Sequence, residues 1–338
     1  MTMRLKVFIG IISALSIFLF ASFVRSDPLK DAVDSLFAQA EPDSLKEKLL
    51  LLGTDAIQYI FEYTGVSDKP EEKLAKDVIV SFGNDAIPEM LSQLRTEDWM
   101  RMWVASDILV EIGDPLPLED AVLKERREKV VSHLLYILEK IARPSSLRVF
   151  RHFAVSGNKS IASRAISALG TLGDTTDIRF VLKATRSGSP RVCRGAYSAL
   201  GKFARRGAVP PELVGESVSC LVSGLGRRHY IERDVAVEAL AAFGDDAIMY
   251  LEKYLNERNF YVRYNIVRVL EQIGTSEAFE VLTSLSEDRD WGVRWAVAEA
   301  CTAGSFPNGE LLLKKMLNVE RNRLLRTRLS TLLTGGIR

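Results

Sequence analysis

The side chains that most often carry catalytic chemistry are few in this sequence of 338 residues. The histidines and cysteines are His133, His152, His229, Cys193, Cys220 and Cys301. Metal sites use clustered His, Cys and carboxylate ligands, and an activated nucleophile needs a base beside it. These six residues are scattered, so the sequence predicts no catalytic residue, no metal site and no cofactor.

Two of the cysteines raise a separate question. Cys193 lies early in one predicted helix and Cys220 lies late in the next, so an antiparallel hairpin can place them at one level. A disulfide needs Cα atoms within about 7 Å of each other. The sequence leaves two possibilities open, a disulfide between Cys193 and Cys220 or a pair of buried free thiols.

The charge balance argues against one class of partner. The formal net charge is +1, and 47% of the residues are hydrophobic. Proteins that bind nucleic acid usually carry a basic patch or stripe. The composition therefore predicts a folded chain with a substantial core and no nucleic-acid partner.

The first residues have the pattern of an export signal. Arg4 and Lys6 precede an uncharged, mostly apolar run from Val7 to Val24, which matches a basic region followed by a hydrophobic region. We predict that residues 1–26 are a signal peptide or a membrane anchor. The rest of the chain would then be periplasmic, or held on the non-cytoplasmic side of the inner membrane. The sequence does not decide whether this segment is cleaved or retained. If it is retained, it would be the only part of the protein that contacts the membrane.

A short motif recurs at a regular interval. Gly-X-Asp-Ala-Ile begins at Gly53, Gly83 and Gly244, and glycines at related positions lie close to thirty residues apart. About fifteen residues before such a glycine stands a residue that commonly caps helix N-termini. These capping residues are Asp98, Asn158, Ser189, Asn259 and Asp290. Each thirty-residue period therefore predicts one helix that begins at the cap and ends at a left-handed glycine, followed by a returning helix.

The residues between cap and glycine show which face is buried. In the copy that ends at Gly274, the apolar residues fall at helical spacing: Val262, Ile266, Val269, Leu270 and Ile273. That spacing predicts one buried stripe per helix. A hairpin of this size cannot bury its apolar face alone, so neighbouring hairpins must stack.

Three copies carry a resemblance to a known family. The segments Val262-Arg263 through Gly274, Val293-Arg294 through Gly304, and Ile161 through Gly173 resemble HEAT repeats of the short type found in phycobilisome-lyase-like proteins. The resemblance implies a right-handed α-solenoid of about ten helical hairpins over residues 27–338. It also implies that the capped second helices line the concave face. Cys193 and Ala162 stand where the family has arginine, which puts the polar ladder between the middle repeats in doubt.

Aromatic residues recur one and five positions after three of the caps. They are Trp99, Trp103, Phe260, Tyr264, Trp291 and Trp295. On a helical wheel these positions fall at about 160° and 200°, whereas the buried stripe is centred at about 25°. The rings are therefore predicted to face away from the core as a partner-binding patch, with Arg263 and Arg294 on its flank to meet anionic groups. The alternative is that the rings pack over the turns between hairpins.

The pattern as a whole favours binding over catalysis. We expect a non-catalytic scaffold or adaptor of the cell envelope that binds a protein or peptide through its concave face. The second possibility is a glycan-binding envelope protein, since sugar rings also stack on tryptophan. A helical-repeat enzyme is a remote third.

Overall fold

A computed structural model describes residues 27–39, 42–65, 70–302 and 306–334. Residues 1–26, to which the signal or anchor prediction applies, lie outside the described residues. Across the described ranges the chain forms helices and turns, with no strand. Among these helices, none combines the length and the apolar character that a membrane crossing requires.

In the described part of the chain the helices follow one another as ten hairpins, each with a first and a second helix. In chain order the pairs are α1 (Pro28–Gln39) with α2 (Pro42–Leu51), α3 (Ile57–Ile60) with α4 (Pro70–Ser81), α5 (Ile87–Gln93) with α6 (Trp99–Ile112), α7 (Leu116–Lys124) with α8 (Glu128–Ile141), α9 (Leu147–Ala154) with α10 (Lys159–Leu172), α11 (Thr175–Ala184) with α12 (Pro190–Arg205), α13 (Pro211–Leu225) with α14 (Tyr230–Ala241), α15 (Ile248–Leu251) with α16 (Phe260–Ile273), α17 (Ser276–Leu285) with α18 (Trp291–Ala300), and α19 (Gly309–Val319) with α20 (Arg323–Leu333). Short 3-10 turns precede α3, α5, α9 and α15, and two more extend α3 and α15. The predicted all-α fold built from about ten helical hairpins is confirmed.

The described residues divide into two compact units. Those up to Pro117 form the N-terminal unit, and those from Leu118 onward form the C-terminal unit. The expectation of a single array over residues 27–338 stays a prediction.

The core of the C-terminal unit lies between the two helix layers, as α16 illustrates. Its residues Val262, Ile266 and Leu270 are buried, as the apolar stripe predicts. The helix packs against the second helices on either side, α14 and α18, and against the first helix α17. Each hairpin therefore completes its core with its neighbours, which is why the repeats cannot fold singly.

Several helix ends follow the predicted chemistry. Gly113 and Gly274 adopt left-handed conformations, with φ of 73° and 68°, and their N–H groups bond to the carbonyls of Leu109 and Leu270. At the other ends, Asp98 accepts from two main-chain N–H groups of α6, and Asn259 accepts from one of α16. These caps satisfy main-chain groups that helix termini leave without partners.

Other helix ends differ from the prediction. Gly173 is extended, with φ −66° and ψ 166°, because Asp174 begins α11 at once through a capping box with Asp177. Helix α12 continues through Arg205, so the left-handed bend falls at Gly207.

Two further ends depart from the pattern in residue type or in bonding. After α8 the left-handed residue is Ala142, which is not a glycine. Ser189 stands at the start of α12, but its side chain makes no capping bond. Gly304 and Gly335 lie outside the described residues.

Candidate functional site: two grooves on the second helices

An apolar groove of about 560 Å³ crosses three successive second helices of the C-terminal unit. We call it the aromatic groove. Its lining consists of Tyr264 from α16, Trp291, Gly292 and Trp295 from α18, and Leu324, Thr327, Arg328 and Thr331 from α20. The structure therefore brings together three of the aromatic residues that the sequence places after two different caps.

Aromatic rings of α16 and α18 line this groove. Trp291 and Trp295 meet edge to face, with centroids 6.2 Å apart, and Phe260 lies 5.6 Å from Tyr264. Trp291 is 44% exposed, while Phe260, Tyr264 and Trp295 are half-buried. Tyr264 and Trp295, five positions after their caps, are therefore partly covered and do not point straight into solvent.

Helix α20 contributes a wall that the sequence reasoning missed. Leu324 is 65% exposed at the rim of the groove. Arg328 also lines it, but its guanidinium is held by both carboxylate oxygens of Glu299, at 2.7 and 2.9 Å. The last repeat has no aromatic pair after its cap Asn322, so nothing in the sequence marked it as part of the patch.

Arg263 and Arg294 do not have the position expected of cations that flank a patch. Arg263 is 2% exposed and binds both carboxylate oxygens of Asp288, at 2.7 and 3.1 Å. Arg294 binds both carboxylate oxygens of Glu320 in the same way. The acceptor carboxylate raises the pKa of each arginine, and the hydrogen bonds from Arg294 lower the pKa of Glu320. Both arginines are therefore internal links between repeats, which corrects the predicted flanking role.

The same position forms a ladder along the C-terminal unit. Four arginines each donate to the carbonyl six residues earlier, in the turn before their own helix: Arg233, Arg263, Arg294 and Arg326. In α12 the equivalent residue is Cys193, whose Sγ lies 3.1 Å from the Ser187 carbonyl oxygen, again six residues earlier, and 3.2 Å from the Thr185 carbonyl oxygen. The polar ladder that the sequence left in doubt therefore includes α12, with a thiol as donor.

Trp99 and Trp103 belong to the N-terminal unit. They lie on α6 and are 65% and 44% exposed. Neither residue lines the aromatic groove, and their predicted partner-binding role stays a prediction.

A second groove, of about 540 Å³, lies on the second helices α8, α10, α12 and α14. We call it the Ser/Arg groove, because most of its lining is serine, arginine or glycine. Ser132, Glu139, Ser160, Ser163, Arg164, Ser167, Arg191, Arg194, Gly195, Ser198, Gly201, Arg205, Ile231, Val235, Glu238 and Ala239 line it. Sequence reasoning missed this groove, since its residues come from four repeats and share no short motif.

The cysteines are buried free thiols, and the disulfide that stayed open between Cys193 and Cys220 is not formed. Burial raises the pKa of Cys301 to about 12, and burial also raises the pKa of Cys193. Neutral buried thiols are poor nucleophiles. Within the described ranges, no cluster of three or more His, Cys, Asp or Glu side chains is placed to hold a metal ion.

Comparison with known proteins agrees with the repeat pattern. Residues 216–304 match the family model for HEAT repeats. The same hairpin recurs through the described residues on both sides of that match, so the predicted HEAT-repeat architecture is confirmed. A search of curated proteins finds no match.

Two crystal structures of engineered proteins from the Northeast Structural Genomics Consortium are similar over long stretches. One is 16% identical over 92% of this chain and 99% of its own, with a TM-score of 0.37. The other is 17% identical over 73% of this chain and 97% of its own, with a TM-score of 0.32. TM-scores this low support no further conclusion about this chain.

Proposed function

We propose that this protein is a non-catalytic interaction scaffold that holds an apolar segment of a partner protein in the aromatic groove. The observation that carries the proposal is the groove itself, in which three second helices present two tryptophans, a tyrosine and an exposed leucine side by side. Stacked helical repeats commonly use such extended surfaces to bind other proteins. Tryptophan and tyrosine are enriched among the residues that dominate binding energy.

The lining favours a protein segment over a glycan. Sugar-binding sites combine an aromatic platform with carboxylate or amide side chains, and the described lining of the aromatic groove contains no Asp, Glu or Asn. Its one charged side chain, Arg328, is already paired with Glu299. The two tryptophans meet at an interplanar angle of 80°, so they do not form one flat surface for a sugar ring.

A matched pair of leucines tests this proposal. Leu324 lines the aromatic groove on α20, whereas Leu311 lies outside that groove on α19, and their exposed fractions are 65% and 71%. Immobilised wild-type protein, Leu324→Asp and Leu311→Asp would each be exposed to the same cell-envelope extract, and the retained proteins identified by mass spectrometry. We expect Leu324→Asp to lose partners that wild-type and Leu311→Asp both retain. If all three retain the same proteins, the aromatic groove is not the binding surface.

We also propose that the scaffold works in the cell envelope. The support is the basic and then apolar pattern of residues 1–26. A reporter that is active only outside the cytoplasm, fused after Arg338, should be active, and removal of residues 1–24 should abolish that activity. Equal activity of the truncated fusion would show that this segment is not an export signal.

A further inference from the structure

The Ser/Arg groove depends on unusually close contact between its helices. Gly195 of α12 lies so near α10 that a Cβ there would collide with the main-chain oxygen of Ser163. A Cβ on Gly170 would come within 2.6 Å of the Ala199 Cα, and one on Gly201 within 2.9 Å of the Ala239 Cα. Because the three glycines have no side chain, the helices approach closely at these points, and the polar side chains beside each contact lie near one another on one surface.

The arginines of this groove lack the carboxylate partners that Arg263 and Arg294 have. Arg164 donates to the Ser132 hydroxyl at 2.9 Å, and Arg191 donates to the Ser160 hydroxyl at 3.2 Å. A hydroxyl accepts a hydrogen bond but does not neutralise the guanidinium charge. Arg194 and Arg205 make no ion pair or hydrogen bond with any other described residue.

Of the two carboxylates in the groove, one is already occupied. Lys202 donates to Glu139 and also to the Ser167 hydroxyl, at 2.7 Å for the latter. Glu238 is then the single carboxylate left to balance four arginines. The groove is therefore a positively charged surface lined with hydroxyl groups, on a chain whose formal net charge is only +1.

The arrangement of charge fits an extended ligand with separated negative groups. Arg191, Arg194 and Arg205 all lie on α12, and the first and last are fourteen residues apart, a distance of about 21 Å along a helix. An extended peptide of about six or seven residues covers the same length. Because the arginines are spread over this length, they match a ligand with several separate negative charges along its chain better than one compact phosphate group.

The rest of the lining distinguishes a peptide from other anions. Single-stranded nucleic acid is commonly held by stacking of its bases on aromatic side chains, and the described lining of this groove contains no aromatic side chain. Arginine and carboxylate form strong charge-assisted pairs, and the serine hydroxyls can bond to a peptide main chain. We propose that the Ser/Arg groove binds an extended, Asp- and Glu-rich segment of a partner protein. This site shares no residue with the aromatic groove, so it stands or falls independently of the proposed function.

The test is fluorescence anisotropy with a labelled peptide of about eight residues that alternates Glu and Gly, a length set by the span of α12. The variants are Arg194→Gln and Arg205→Gln, which remove no internal bond and should fold as wild type. Each should raise the dissociation constant about fivefold or more, as expected for loss of a charge-assisted hydrogen bond. The control is Arg179→Gln, an exposed arginine on the first helix α11 that removes the same charge elsewhere. It should change the constant less than about twofold, because salt screens distant exposed charges.

Several outcomes would overturn the proposal. Failure of the peptide to bind wild-type protein, or equal weakening by Arg179→Gln and Arg194→Gln, would show that the groove has no specific site for carboxylates. Displacement of the peptide by inorganic phosphate at equal concentration would assign the site to a phosphate group. Tighter, Arg194-dependent binding of single-stranded DNA or heparin would assign it to those polyanions.

Discussion

Replacement of Arg263 by alanine should destabilise the C-terminal unit by about 3–5 kcal/mol, the usual cost of stranding one member of a buried ion pair. The arginine and aspartate side chains of this pair are only 3% and 5% exposed. The substitution removes two hydrogen bonds to the Asp288 carboxylate and one to the Glu257 carbonyl. Asp288 keeps a bond from the Asp290 N–H but is left as an uncompensated buried charge.

Arg268 provides the matched control for this variant. It lies on the same helix and pairs with Asp234, but those side chains are 35% and 41% exposed. Exposed pairs contribute about 0–1 kcal/mol, because water screens the charges and replaces the lost bond. Arg268→Ala should therefore cost at least about 2 kcal/mol less than Arg263→Ala.

The measurement must allow for a repeat array that does not unfold as one unit. Urea unfolding followed by circular dichroism gives the change in stability, and hydrogen exchange with mass spectrometry locates it. We expect faster exchange in α16, α17 and α18 and little change in α8. The second variant, Asp288→Asn, keeps an acceptor for the Asp290 N–H, and a double-mutant cycle with Arg263→Ala should give a coupling of about 1–3 kcal/mol. A cost for Arg263→Ala as small as that of Arg268→Ala, or no coupling, would refute the buried pair.

Three further predictions follow from the helix ends, the carboxylates and the thiols. Gly274 holds φ at 68°, so Gly274→Val should destabilise by more than about 1 kcal/mol in thermal unfolding, and a neutral effect would contradict the left-handed cap. The pKa of buried Glu320 is lowered by hydrogen bonds to its carboxylate, so the stability that it contributes is present above pH 4.5 and is lost as pH falls through its folded-state pKa. Glu320→Gln should flatten stability against pH in that acid range. Glu310→Gln should change the curve much less, because the Lys314 side chain that lowers the pKa of Glu310 forms an exposed i,i+4 pair that water screens. Burial raises the pKa values of Cys301 and Cys193, so both should resist iodoacetamide at neutral pH until denaturant is added, and rapid labelling of folded protein would contradict their burial.

Local sequence chemistry was sufficient to predict the hairpins. A cap such as Asn259, an apolar stripe such as Val262 to Leu270 and a glycine such as Gly274 all lie within one helix, and each acts through bonds to its near neighbours. The prediction was wrong where two signals compete. At Gly173 the next residue, Asp174, starts α11 so early that the chain has no room for a left-handed turn.

The surfaces were harder to predict because they depend on contacts between repeats. A helical wheel places Arg263 beside the aromatic rings, but Asp288, its partner, is 25 residues away in the next hairpin's turn. The wheel also places Trp295 far from the buried stripe of its helix, although the folded chain half buries it. The Ser/Arg groove depends on the close approach of α12 to α10 at Gly195. A single glycine inside a helix does not show from the sequence which neighbouring helix it contacts.

The arginine ladder also defines the natural boundary between one repeat and the next. Arg263 and Arg294 each combine a generic partner, the main-chain carbonyl six residues earlier, with a specific carboxylate, which is Asp288 for Arg263 and Glu320 for Arg294. A module cut from Asn259 to Arg289 carries Arg263 together with Asp288, and any upstream turn can supply the carbonyl. A cut at Gly274 would instead join Arg263 to the acid of a later repeat, Glu320, whose side chain is one methylene longer, in a site packed around aspartate. Duplication or deletion of repeats in this chain should therefore be tolerated best when the joints fall at the helix caps.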